Sequence, residues 1–178
     1  MSQSKDAKKL FNIGIIAAFA TLSFVGTTVI RVPIPATGGY FNLGDTFVMT
    51  AGLLYGPAVG ALVGMLGPAA ADAVGFPQFI LATAVVKFCE GGVVGLLGSR
   101  RENSKARPAI ALALGVVILV VGYFVFEAFI YPALAGAIPF FAVTDFKAAI
   151  AEIFPNFLQG VISAVIAFGI CRIFQGRD

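Results

Sequence analysis

The sequence predicts an all-α membrane protein: a six-transmembrane-helix bundle with both termini cytoplasmic and a short second helix. Three observations carry that expectation. The chain has 178 residues, 59% of them hydrophobic and 12% charged, against roughly 25% charged in soluble domains. One soluble core of this size cannot hide so much apolar surface. The apolar stretches have helix length, where a membrane β-barrel shows short alternating segments. Finally, nine of the twelve Lys and Arg residues fall on one side of the membrane when six spans are counted, as the enrichment of basic residues in cytoplasmic loops requires.

The first span follows Lys5, Lys8 and Lys9 and covers about 11–30. It mimics a signal peptide, but its uncharged run exceeds the usual h-region of about 7–15 residues. It is read as a retained helix. The second and third spans, about 43–54 and 57–74, are separated by Tyr55-Gly56-Pro57. No charge lies between Thr46 and Ala71, so one kinked helix and five spans is the competing count. Charge decides between them. With six spans, Lys5, Lys8, Lys9, Arg100, Arg101, Lys105, Arg107, Arg172 and Arg177 share a side. With five, the basic 99–107 loop opposes the basic N-terminus. Spans at about 77–97, 108–131 and 148–173 complete the bundle, one domain over 1–178. The apolar loop 132–147 is expected to lie against the membrane or fold over an opening.

Composition also excludes functions. The formal net charge of +3 sits at membrane ends and forms no patch for nucleic acid. With no histidine, a His-ligated metal or His general base is impossible. Cys89 and Cys171 lie in apolar segments and read as small buried hydrophobes. No phosphate-binding GxxxxGK[ST] pattern occurs, so energy from ATP would have to arrive through a partner. No metal, cofactor or catalytic constellation is expected.

Ionisable residues inside spans are costly and mark function by default. Asn42 and Asp45 begin span two. Asp72 closes span three. Lys87 and Glu90 lie near the middle of span four, and Tyr123 and Glu127 in the outer part of span five. Glu152, Asn156 and Gln159 follow i, i+4, i+7 spacing and share one face of span six. These groups gather in the outer half, as an outward-facing cup for a small polar ligand requires. A self-sufficient transporter or channel would spread them through the full thickness. A membrane enzyme would need a nucleophile–base pair, and none is visible. The candidate substrate-binding residues are Asn42, Asp45, Lys87, Glu90, Tyr123, Glu127, Asn156 and Gln159, with outer-loop aromatics available to stack on a flat ring. Bland roles compete: Asp45 as a helix cap, Lys87 with Glu90 as a neutralising pair, Asp72 as a cap or an Arg31 partner.

The stretch GGYFNLGDTFVMTAGLLYGP joins these points. Asn42 to Leu54 gives about 20 Å of helix, against a hydrocarbon core of about 30 Å. The short helix is expected to start below the surface and floor the cup, with loop 31–42 dipping in to meet it. Small residues form two seams. Gly56, Gly60 and Gly64 suit close packing inside the bundle. Gly14, Ala17, Ala18 and Thr21 stripe the first helix and suit a membrane partner.

The chain resembles the S component of energy-coupling factor (ECF) vitamin transporters. The resemblance rests on six spans, a Lys-rich start, a small-residue first helix, and FNLGDTFVMTAGLLYGPAVGALVGMLGPAAAD followed by a Lys-containing fourth helix. It is similar to the riboflavin, pyridoxine and hydroxymethylpyrimidine branch. This resemblance implies a substrate-binding subunit without enzymatic activity, in the plasma membrane of a prokaryote. It implies high-affinity capture of a small water-soluble vitamin or precursor from outside, with pyridoxine or hydroxymethylpyrimidine favoured. The implied partners are a transmembrane coupling protein and two cytoplasmic ATPase subunits, reached through the first helix. Family members often carry Ala-xxx-Ala there; Gly14-xxx-Ala18 and Ala17-xxx-Thr21 stand in its place.

Overall fold

The computed structural model describes residues 2–35, 38–99, 106–141 and 145–175. The helices are α1 (Ser2–Val29), α2 (Asp45–Tyr55), α3 (Pro57–Gly75), α4 (Ile80–Gly98), α5 (Ala106–Ala135) and α6 (Phe146–Gln175). Five of them, all but α2, are long and apolar enough to cross a membrane. At 11 residues, α2 is about 16 Å long. The expected six-helix count holds, with spanning length in five. Arg100, Arg101, Lys105 and Arg177, on which the sidedness argument partly leans, lie outside the described residues.

Successive helices alternate in direction, so the start of α1 and the end of α6 share one end of the bundle. The backbone approaches record the order. Gly56 meets Gly95, Gly60 meets Gly91 and Gly64 meets Lys87 along antiparallel α3 and α4. A Cβ on Gly52 would stand 2.7 Å from the Gly91 carbonyl oxygen, so α2 presses on α4 just as closely. This is the small-residue packing that replaces hydrophobic driving force inside lipid. Gly67, one ridge over, packs on Ala20 of α1. Gly56 also makes the α2–α3 turn: its φ of 91° is a conformation glycine adopts without Cβ strain, and Pro57 then starts α3 where its missing N–H costs nothing.

Three features depart from the sequence reading. Loop 31–42 contains a two-stranded antiparallel ribbon, β1 (Val32–Ile34) and β2 (Gly39–Phe41), with Val32 opposite Phe41. Strands of three residues show no readable alternation. The region 132–147 is not all loop: α5 runs on to Ala135, and a single tight turn covers Pro139–Phe141. Cys89 is exposed on the bundle surface, while Cys171 is buried. Neither is in a disulfide.

The apolar core divides in two at the terminal end. Met49, Leu53, Val94, Leu112 and Val116 pack between α2, α4 and α5. Val48, Ala51, Val59 and Val63 pack α2 on α3 with α1 alongside. Towards the other end the interior turns polar, and the site lies there.

Candidate functional site

A polar cavity lies at the end opposite the termini, between the ribbon and α1, α3, α4, α5 and α6. Its lining includes Thr27, Tyr40, Asn42, Asp72, Thr83, Lys87, Tyr123, Glu127, Glu152, Asn156 and Gln159. Six of the eight residues singled out from sequence meet here: Asn42, Lys87, Tyr123, Glu127, Asn156 and Gln159. The free space at its centre is about 30 Å³, room for roughly two waters. A vitamin-sized solute would need the walls to part.

Asp45 and Glu90 do not line the cavity. Both are fully buried beneath it, and their carboxylates hold Lys87. The Lys87 Nζ lies 2.5 Å from Asp45 and 3.3 Å from Glu90. Asp45 does not cap α2 either. The cap position is Gly44, with no side-chain bond, and Asp45 begins the helix proper. Its second oxygen accepts from the Gln159 side-chain amide at 2.7 Å. Both acids engage Lys87. They fix a buried ammonium at the cavity wall, 5.4 Å from the centre of the Tyr123 ring. The i, i+3 pairing of Lys87 with Glu90 is present, but Asp45 makes the shorter contact.

Gln159 ties the last helix to the start of α2. Its carbonyl oxygen accepts from the Asn42 backbone N–H at 2.8 Å and the Asn42 side-chain amide at 3.3 Å. The Asn42 side-chain Oδ1 accepts from the Gly44 N–H at 2.8 Å, a local turn typical of asparagine. Ser23 donates to the Gly44 carbonyl at 3.0 Å. The chain between α1 and α2 is therefore bound on both flanks, and Asn42 is 7% exposed. It lines the cavity just ahead of the short α2.

The ribbon forms another wall. Tyr40 donates its phenol proton to Asp72. Burial, and then the Asp72 carboxylate, push that phenol well above its ordinary value. Arg31 stacks over Tyr40 and Phe76, with its guanidinium carbon 4.9 and 5.1 Å from the ring centres. It donates to the Ala71 carbonyl at 2.8 Å, so the expected Arg31–Asp72 pairing is replaced by a backbone bond beside it. On the far wall, α5 opens into a π-helical turn over Phe126–Ile130. Such turns insert one residue into the helical ladder and recur at functional sites. This one carries buried Glu127 into contact with Glu152 of α6. The Asn156 amide lies 3.5 Å from Glu152. Thr83 and Tyr123 share a hydroxyl–hydroxyl bond of 2.8 Å.

Asp72 and Glu152, polar in the outer half but outside the eight candidates, line the cavity too, and so do the aromatics Tyr40 and Phe79. Thr27 and Thr83 left no signal, because threonine in an apolar run looks like any small residue. Gly14, Ala17, Ala18 and Thr21 are all exposed on α1, and no atom lies within 4 Å of a Cβ built on Gly14. The stripe faces away from the bundle.

Fold and cavity together define the class: a multi-pass helical membrane protein whose buried polar groups converge at one end. The family model for the ECF-type riboflavin transporter S component matches residues 4–174, and the chain belongs to that family. It is the substrate-binding membrane subunit of an ECF transporter, a class of transport subunits rather than enzymes. An uncharacterised protein of the gap 3′ region of Pyrococcus woesei is 34% identical over 153 residues, covering 86% of this chain and 94% of that one. The solved S component of a bacterial ECF transporter superposes with a TM-score of 0.68 at 14% identity, covering 94% of this chain and 97% of that one. At that identity the match speaks for the fold.

Proposed function

We propose that this subunit captures a small nitrogen-heterocyclic vitamin or vitamin precursor from outside a prokaryotic cell and delivers it inward as part of an ATP-driven ECF transporter. The observation that carries the reading is the convergence of five helices and the ribbon on one polar cavity, while the terminal end of the bundle packs through apolar side chains. A cup needs polar groups at one end; a self-sufficient transporter or channel needs them throughout.

The chemistry of the walls favours the pyridoxine or hydroxymethylpyrimidine class. Glu127, Glu152 and Asp72 outnumber Lys87, whose charge Asp45 and Glu90 already balance. Carboxyl groups suit a ring bearing an amino group, a protonatable nitrogen or hydroxyl donors. Asn156 and Gln159 supply amides for ring heteroatoms. Tyr40, Phe79 and Tyr123 supply faces for stacking. Riboflavin is the second reading, favoured by the name of the matching family. Titration of the purified protein separates them. Calorimetric binding of pyridoxine or hydroxymethylpyrimidine with no quenching of riboflavin fluorescence supports the first; quenching supports the second. If none of the three binds, the reading of the cavity falls.

The exposed stripe Gly14, Ala17, Ala18 and Thr21 is assigned to the transmembrane coupling protein, which in turn carries two cytoplasmic ATPase subunits. Small side chains exposed on a membrane helix let a partner backbone approach. Both termini are placed in the cytoplasm, because the basic residues gather at that end.

A further inference from the structure

A second cavity is larger than the polar one. It is an apolar groove of about 610 Å³ between α5 and α6, open to the side of the bundle. Ala109, Ala113 and Ala164 leave the gap, and Val121, Phe157 and Phe168 bound it. Along α5 the lining runs from Ala109 to Val121, about 18 Å at 1.5 Å per residue. One leaflet of a bilayer is about 15 Å deep, half the hydrocarbon core. Val121 is the last residue of α5 in the lining; further along, the rings of Phe124, Phe129 and Phe146 pack on one another with centres 5.8–6.2 Å apart. A partner helix crossing the membrane would need the full depth. An extended hydrocarbon chain of one leaflet needs only this much.

Polarity at the open end names the headgroup. The groove starts three residues into α5, so it belongs to the leaflet at the terminal end. There Arg172 follows Phe168 by four residues and shares its helix face. Arg172 is exposed, and no carboxylate among the described residues pairs with it. We propose that this groove holds one acyl chain of an anionic phospholipid, with the phosphate of its headgroup at Arg172. The site is independent of the polar cavity and of the ligand assigned to it.

Native mass spectrometry of the full chain in detergent tests the proposal, with dioleoylphosphatidylglycerol and dioleoylphosphatidylcholine added at equal concentration. One basic residue at a membrane surface corresponds to about a fivefold preference for the anionic lipid. That preference is expected in the wild type and lost in Arg172→Gln. Ala113→Phe fills the groove from an exposed position and is expected to release both lipids. Equal retention of the two lipids by the wild type overturns the proposal. So does undiminished retention in a folded Ala113→Phe variant. Disulfide-linked dimers of Val117→Cys in a Cys89→Ala background would assign the groove to a second copy and overturn it as well.

Discussion

Lys87 shows how a single residue sets the site. Its ammonium is 1% exposed and held by two acids that water cannot reach. Removing one partner of a buried ion pair leaves an uncompensated charge and costs about 3–5 kcal/mol. Lys87→Met is expected to lower the unfolding temperature sharply, and Asp45→Asn in that background to recover part of the loss. Scanning calorimetry in detergent decides it; an unchanged transition for Lys87→Met would mean the cluster is not charged as drawn. Gln159 acts by position. It accepts two bonds from Asn42 and donates one to Asp45. Loss of these bonds, at about 1 kcal/mol each, predicts that Gln159→Ala weakens vitamin binding by tenfold or more. Gln159→Glu cannot donate to Asp45 and would place two carboxylates together, so it should not rescue. The acids and amides of this network were legible in the sequence, because charge inside an apolar run stands out. Whether Asp45 and Glu90 faced the cavity or lay behind it was not, since that depends on which side of α2 and α4 the cavity opens. Thr27 and Thr83 stayed hidden for want of any charge.

At the scale of elements, two small-residue stripes with the same spacing have opposite surroundings. Gly60 lies against the Gly91 carbonyl, where any side chain forces α3 and α4 apart. Gly14 faces open space. Gly60→Leu is therefore expected to abolish recovery of folded protein. Gly14→Leu should fold and bind vitamin normally while losing co-purification with the coupling protein. Recovery yield, ligand titration and pull-down separate the two; a Gly14→Leu variant that still assembles would remove α1 from the proposed interface. Spacing alone predicted both seams but could assign only a preference for each. Helix existence was legible throughout, since Gly56-Pro57 and the charged breaks punctuate the apolar runs. The ribbon and the π-helical turn were not. Three-residue strands are too short to alternate, and in Phe126–Ile130 a single polar residue, Glu127, is too little periodicity to reveal one inserted residue.

For the whole molecule, function depends on which way the bundle faces. The polar cavity and the basic termini lie at opposite ends. If the termini are cytoplasmic, the cavity opens outward and can capture a scarce solute before any energy is spent. The cavity is too tight for a vitamin without movement of its walls, and the ribbon is the wall fastened mainly by side chains: Tyr40 to Asp72, and Arg31 to the Ala71 carbonyl. Capture then needs no ATP, whereas delivery must reverse access across a terminal half with apolar packing, and the sequence carries no GxxxxGK[ST] pattern with which to drive it. Two measurements follow from that arrangement. In a Cys89→Ala background, Val74→Cys, which is 71% exposed at the cavity end of α3, should react with a membrane-impermeant maleimide in whole cells. A cysteine added after Asp178 should react only after lysis. In vesicles, this subunit alone should retain bound vitamin without accumulating it, and accumulation should require the coupling protein, both ATPases and ATP. Reversed labelling would turn the cup inward, and accumulation by the lone subunit would make it a self-sufficient transporter.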